Sequence, residues 1–485
     1  MAPRKDDGKD DIPIEMVSLL DQSMEQDEGF TRDEVYTSKG WIEDVEWKGK
    51  KVKTYPLDYN KVGLVRMQIV TNLIVFLVFG LNDQTTGSLI PTLTRSYGIS
   101  KVVVSNIFLV QVFGYVLACL LNEKLHKRWG MRGAVNLSAG LFILFFAVLA
   151  LQPSSFFIYM ACYLPIGFAL GILDSTGNVL IGNLEHHKNE WMGAIHGLYG
   201  AASMVTPPVV SHFVKYGRWA NFFCIPLGLS VLALAIAVPA FRHETAAKYD
   251  YVCNVNEVET ELVEEDKSGG LTVVALLKNP AVSLYAIYLF VYLGAEVSTG
   301  SWLFSYLLST KSDDKIAMSY VTSSYWTGLT VGRFLLGFIT KRVFASEYVA
   351  SLAYSLMCLF FYSVLLAVGT INTDAGWYIV VLFFVLFFCG VFVGPLFPNA
   401  SIVAMQVLPR HLHVGGVGLA VAIGGSGNAL LPYLVGVTLH FAGMNWFPLL
   451  CWTMVVGFTL IWSIYPKYLP IPLHTYFRHE LDTIS

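Results

Sequence analysis

Residues 78–91 read VFGLNDQTTGSLIP, a run that sets one carboxylate, Asp83, inside a stretch otherwise apolar enough to cross a membrane. Two more acids lie in similar surroundings, Asp174 in GFALGILDSTGN and Glu296 in YLGAEVSTGSW. An ionised Asp at a helix centre costs about 2.5–3.5 kcal/mol on insertion scales. Protonating an ordinary Asp at pH 7 costs about 4 kcal/mol. The two penalties nearly match, so both forms are within reach inside a membrane, as a proton-coupling site requires. The alternative is an acid locked in a helix-to-helix hydrogen bond that never titrates. Against its salt-bridged version, no Lys or Arg lies at comparable depth in the first half of the chain, whereas Arg333 could neutralise Glu296.

The whole chain supports a membrane reading. It has 485 residues, 55% hydrophobic and only 14% charged, well outside the usual composition of soluble domains. A net charge of −3 excludes a nucleic-acid binder driven by overall charge. The seven cysteines are widely separated, with no CxxC pair or His/Cys ligand spacing, so no metal is expected. No phosphate-binding GxxxxGK[ST] loop and no enzyme constellation occurs, and no cofactor is implied. The polar opening sixty residues show no cleavable signal.

At about 20 apolar residues per crossing, the sequence divides into twelve spans near 64–86, 102–121, 133–151, 155–180, 191–213, 219–240, 279–308, 317–339, 347–369, 376–400, 414–439 and 445–465. The expected fold is therefore an all-α integral membrane protein of twelve transmembrane helices in two six-helix halves. Its parts are a polar tail (1–62), an amino-terminal half (63–240), a polar, acidic central loop (241–278), a carboxy-terminal half (279–466) and a short tail (467–485). Basic loops (NEKLHKRWGMR, TKR, LPRHLH) against the Lys- and Arg-free NTDAGW and AGMN put both termini in the cytoplasm. The halves repeat: Asp83 of DQTTGSL meets Glu296 of EVSTGSW, Lys127 meets Lys341, and Pro208 meets Pro432. Parallel repeats of this kind place a substrate site between the halves near the midplane.

Asn82 adjoins Asp83, and Asn178 stands one helical turn from Asp174. Asn399 and Asn428 add amides from later spans, and Trp302 adds an aromatic face beside Glu296. Amides and carboxyls beside aromatic rings suit a sugar, whose hydroxyls hydrogen-bond while its C–H face stacks. Packing accounts equally for any one of these residues.

With DQTTG, LDSTGN, GAEVSTGSW and LFPNAS in view, the chain resembles the major facilitator superfamily over roughly 64–466. Within it the chain is similar to the fucose:proton symporter family and to fungal permeases of the bypass-of-stop-codon type. The resemblance implies alternating access, with Asp83 and Asp174 as proton and substrate residues. The family's second acid is usually Glu, and its Asn-Asp is followed closely by Ile-Pro, whereas QTTGSL intervenes here. LHKRWGMR resembles the superfamily's gating loop, assigning Lys127, Arg128 and Arg132 to gating, although Lys127 stands where an Asp is usual. The expected partners are a small polar substrate, protons and the lipid bilayer, with sorting adaptors through the dileucine-like Glu15–Leu20 (EMVSLL) and a plasma or vacuolar membrane as location. The rival readings are proton-coupled export of an organic metabolite and a non-transporting membrane sensor.

Overall fold

The computed structural model describes residues 41–253, 278–371, 376–407 and 418–465. The sorting stretch Glu15–Leu20 and the basic LPRHLH loop lie outside them. The membrane core is helical. In chain order it comprises α1 (Gly63–Tyr97), α2 (Lys101–Ala150), α3 (Phe156–Ala161), α4 (Tyr163–Gly182), α5 (Lys188–Lys215), α6 (Cys224–Ala240), α7 (Pro280–Thr310), α8 (Lys315–Val343), α9 (Glu347–Gly369), α10 (Gly376–Val393), α11 (Leu396–Val407), α12 (Gly418–Ala442) and α13 (Phe447–Ile464). Eight helical stretches among the described residues are long and apolar enough to cross a membrane. Three further helices, α5, α8 and α12, lie where spans were expected, and α5 and α8 fall short of that standard. α5 and α8 do so with evident cause, since they carry His196 and Arg333 among many hydroxyl side chains.

Polarity is distributed inside out. Large apolar side chains such as Phe113, Leu120 and Phe157 point outward, while Gln68, Asn72, Asn82, Gln84 and Thr85 are buried. Such an exterior is stable against lipid and would aggregate in water.

α2 has 50 residues and would be about 75 Å long if straight. Yet the Tyr97 hydroxyl, just before it, donates to the Pro153 carbonyl just beyond it at 2.6 Å. Both ends therefore sit together, and the chain folds back at Gly130 (φ 68°, ψ 177°). The two spans expected at 102–121 and 133–151 are thus the two arms of one hairpin of helices. Gly130 is required twice over: its φ is positive, and an added Cβ would come within 2.3 Å of the Thr245 backbone. Arg132 N–H donates to the Glu244 carbonyl at 2.9 Å and fixes the same contact.

Helices α1 to α6 pack mainly on one another, α2 against α4 and α1 against α5 and α6; α7 packs on α12 and α13, and α8 on α10. Three contacts bridge these groups, α1–α7, α2–α12 and α5–α8. The first is backbone to backbone, because a Cβ on Gly87 would lie 2.6 Å from Ser301 Cα. Small residues at such crossings are the usual means of close approach in membranes.

The polar stretch ahead of α1 contains an ordered element. β1 (Glu43–Trp47) and β2 (Lys50–Thr54) pair antiparallel with Trp47 opposite Lys50. Lys48 (φ 49°) and Gly49 (φ 74°) form the two-residue turn with both φ positive that suits a hairpin's twist. Trp47 Nε1 and Lys48 Nζ both reach Asp250 Oδ2, at 2.8 and 2.7 Å, and the Tyr55 hydroxyl donates to Glu244. These bonds dock the hairpin on the chain segment that follows α6.

Gly130→Ala is expected to lower the apparent melting temperature of the detergent-purified protein, at a cost of at least about 1–2 kcal/mol from the left-handed backbone alone. An unchanged melting curve would show that the fold-back does not need glycine.

Candidate functional site

Asp83 sits midway along α1 and is only partly accessible. Its Oδ1 accepts from Gln111 Nε2 on α2 (3.0 Å) and from Asn82 Nδ2 (3.1 Å). Its Oδ2 accepts from the Tyr199 hydroxyl on α5 at 3.2 Å. Asp174 on α4 repeats the arrangement: Oδ1 accepts from Asn178 Nδ2 (2.9 Å) and Oδ2 from the Tyr115 hydroxyl on α2 (2.7 Å). Each acid thus has amide donors on one oxygen and a phenol on the other. Among the described residues no cation lies within ion-pair distance of either.

Glu296 is treated differently. Its Oε1 accepts from Arg333 Nη2 on α8 at 2.8 Å, its Oε2 from the Tyr292 hydroxyl at 2.6 Å, and both charged side chains are largely buried. Asp83 and Glu296, equivalent by sequence repeat, therefore have opposite electrostatic settings. Tyr199 lies within electrostatic reach of Asp83, Glu296 and Arg333, and Tyr115 within reach of both Asp174 and Asp83. The three acids form one connected polar system.

The other expected residues take different positions. Asn178 holds Asp174, and Asn82 holds Asp83 while also meeting Gln111 Oε1 at 3.2 Å. Trp302 is fully buried, its indole N–H given to the Pro432 carbonyl at 2.8 Å, so its polar atom is occupied in α7–α12 packing. Asn399 Nδ2 and Asn428 Oδ1 are buried without a hydrogen-bond partner among the described residues. The same holds for Gln84 Oε1, Ser298 Oγ, Ser301 Oγ and Trp326 Nε1. Buried polar atoms left unpaired cost about 1–3 kcal/mol each, and a concentration of them along α1, α7 and α8 marks a lining suited to water or a polar solute.

Lys127 pairs with Glu123, the Arg128 guanidinium lies 5.7 Å from the Trp129 ring centre, and Arg132 Nη1 reaches the Arg242 carbonyl. Their described partners all belong to α2 and the segment after α6.

Sequence reasoning missed Gln111, Tyr115 and Tyr199. Gln111 is a lone amide in the apolar run IFLVQVFGYVLA, and Tyr115 stands one turn later on the same face. That spacing marks Gln111 and Tyr115 as a polar pair, though not as partners of the acids, and nothing of the kind marks Tyr199.

The Major Facilitator Superfamily profile matches residues 73–432, spanning all the helices that carry these acids. The chain belongs to this superfamily of membrane transporters. Bypass of stop codon protein 6 of Saccharomyces cerevisiae is 55% identical over 468 residues, 94% of each chain. Glucose/mannose transporter GlcP of Bacillus subtilis is 23% identical, over 75% of this chain and 86% of its own. Among solved structures, a POT family transporter in complex with 5-aminolevulinic acid superposes with a TM-score of 0.64 at 13% identity, covering 89% of this chain and 100% of its own. A D-xylose-proton symporter does so with a TM-score of 0.63 at 12% identity, covering 84% and 98%. At such identities the likeness is one of fold.

Removing Arg333 strands a buried carboxylate. Arg333→Ala is expected to cost about 3–5 kcal/mol, with most of it recovered in the Arg333→Met/Glu296→Gln double variant. Thermal unfolding of the wild type, Arg333→Ala, Arg333→Met, Glu296→Gln and the double variant measures this, and additive costs of the Arg333→Met and Glu296→Gln singles in the double would mean that the two groups act independently.

Proposed function

We propose that the chain is a secondary active carrier that moves a sugar or similar small polar solute together with protons by alternating access. The observation that carries this reading is the contrast between the acids: Asp83 and Asp174 are held by neutral donors alone, while Glu296 has Arg333. A carboxylate without a counter-ion in a largely dehydrated bundle exchanges a proton whenever its hydration changes. Glu296 instead has its charge balanced in place by a guanidinium at 2.8 Å. Glu296 is therefore a structural and substrate-facing group, and Asp83 and Asp174 are the coupling pair.

The hydrogen-bond pattern supports Oδ2 as the atom that takes the proton in this reading. An amide NH₂ can only donate, whereas a phenol can donate or accept. On each acid the oxygen facing a tyrosine, Oδ2, is the one that can carry hydrogen without creating an opposed pair of donors.

The reading extends to twelve membrane crossings, with α2 crossing twice about Gly130 and α5, α8 and α12 crossing as polar-lined helices. Residues 63–240 and 279–466 form the two halves, and both termini lie in the cytoplasm. α1–α7 and α2–α12 close upon each other towards the Tyr97–Lys101 turn, where Gly436 lies against Ser105 as well as Gly87 against Ser301. That end is the outer, shut one, and partly accessible Asp174 and Asn178 face the inner end. The sugar class rests on the sequence likeness to the glucose/mannose transporter and on the amide- and hydroxyl-rich lining. The membrane is the plasma or the vacuolar membrane, and Glu15–Leu20 would direct sorting to the latter.

The test is uptake by reconstituted vesicles across a panel of sugars under an imposed pH gradient, inside alkaline. One sugar is expected to accumulate above equilibrium and to acidify the lumen as it enters. In Asp83→Asn and Asp174→Asn, which keep the shape but cannot take a proton, accumulation should fall to the equilibrium level while gradient-free exchange persists. A gradient that instead lowers vesicle content would establish export, and no movement of any sugar would overturn the reading.

A further inference from the structure

At the end of the bundle where α2 folds back, the docked hairpin leaves a pocket of about 540 Å³ between three chain segments. It is lined by Lys50 and Lys51 from β2, by Arg128, Trp129, Arg132 and Gly133 from the α2 bend, and by Thr245, Ala246 and Ala247. Four of these side chains are cations and none is an acid.

Glu46 on β1 stands across the strands from Lys51, and three other nearby carboxylates are already committed. Asp250 takes Trp47 and Lys48, Glu244 takes Tyr55 and Lys248, and Glu123 takes Lys127. Among the described residues no carboxylate lies within ion-pair distance of Lys50, Lys51, Arg128 or Arg132. Four exposed cations at the walls of one cavity give it a positive potential that an anion offsets. The surroundings add to the positive field: burial, and after it the cations Arg242, Lys53 and Lys248, push the neighbouring His243 imidazole below its ordinary range.

The walls are pinned. Gly130 admits the 244–246 backbone at a distance no side chain would allow, Arg132 N–H is bonded to the Glu244 carbonyl, and the hairpin is tied to Asp250. The charges are thus presented by separate elements held in fixed relation, so a ligand gains their attraction without ordering the wall. Trp129, 45% exposed, lies beside the cations at a helix end, the position at which indoles mark a membrane–water boundary.

We propose that this pocket binds a phosphate-bearing anion, and that its position at the bilayer boundary favours the headgroup of a phosphoinositide lipid over a soluble phosphate. Clustered cations beside a membrane span recognise such headgroups by charge density rather than by shape alone. A bound headgroup would bridge β2 to the α2 bend, joining the hairpin to the loop between two spans. The inference needs only the membrane setting and is independent of the transported solute.

The test uses the full chain in lipid nanodiscs of phosphatidylcholine doped with phosphatidylinositol bisphosphate, or with phosphatidylserine at equal total charge. Lipid retained after extraction is read by native mass spectrometry. The wild type is expected to retain the phosphoinositide selectively, and Lys50→Ala/Lys51→Ala to weaken retention at least about tenfold. Both lysines are exposed, and an unchanged melting curve for the double variant shows that it folds. Lys215→Ala/Arg218→Ala, at the other end of the bundle, should leave retention as in the wild type. Soluble inositol trisphosphate separates the sources: failure to displace the lipid assigns the membrane headgroup, and tight binding of its own, lost in Lys50→Ala/Lys51→Ala, assigns the free anion. Equal retention of phosphatidylserine, an unaffected Lys50→Ala/Lys51→Ala, or an equal loss in Lys215→Ala/Arg218→Ala would overturn the proposal.

Discussion

A charge taken from water into a bundle of apolar helices must be neutralised, by a partner or by a proton. The three buried acids divide along this line. Glu296 has a guanidinium at 2.8 Å and a phenol on its other oxygen, a closed set that satisfies both charges. Asp83 and Asp174 have amides and phenols only. Hydrogen bonds from neutral groups stabilise an ionised carboxylate without cancelling its charge, so the balance between the two forms at these positions depends on how much water reaches them. Dependence on water is what couples an acid to a conformational cycle, since opening and closing a cleft alters hydration before anything else. An arginine beside either Asp would remove that dependence.

The packing serves this requirement. α1 and α7 carry acids matched by the sequence repeat and cross where Gly87 meets Ser301, so close that Gly87 has no room for a Cβ. The contact places Gln84 beside Gly300 and Trp326, bringing the polar faces of helices far apart in sequence together. Interhelical contact in lipid gains little from hydrophobic burial, so small residues and shared polar atoms have to supply it. The hydroxyls and amides left unpaired there are tolerable only if water or a solute completes them.

Much of this was legible in the sequence, and the reason is that membranes constrain so strongly. Apolar runs of span length, three acids interrupting them and a single deep arginine were all visible in the chain, and the Glu296–Arg333 pair could be anticipated because there was no other cation for that acid to meet. The remainder depended on contacts distant in sequence. Gln111 and Tyr199 reach Asp83 from 28 and 116 residues away, and no local pattern ties them to it. Trp302, adjacent to the acid-bearing motif, looked like a solute platform, but its indole N–H goes to Pro432 across a helix interface. The hairpin at 43–54 was hidden in a stretch too charged to suggest order: its turn is Lys48–Gly49 rather than the more familiar Asn–Gly, and what holds it is mostly Asp250, more than 200 residues on.

Each of the two acids without a counter-ion has a tyrosine on its Oδ2. When Asp83 is ionised, Tyr199 donates to it. Once a proton occupies Oδ2, the phenol oxygen must accept, and its own hydrogen turns elsewhere. The charged groups within its reach are Glu296 and Arg333 on the helices across the interface. On the proposed cycle, protonating Asp83 therefore turns the Tyr199 hydroxyl from donor to acceptor at the helix that faces Glu296 and Arg333 electrostatically. Tyr115 stands in the same relation to Asp174 and senses Asp83 as well. Two acids that share no direct bond are in this way joined through phenols able to reverse. The family's usual glutamate at the second position would reach a methylene further, and the shorter Asp174 keeps its Oδ2 at 2.7 Å from Tyr115 because the phenol closes the gap from the other side. A shorter acid is compatible with proton transfer provided that its partner on α2 is a tyrosine, so the two positions are expected to depend on each other more than on any residue of the substrate lining.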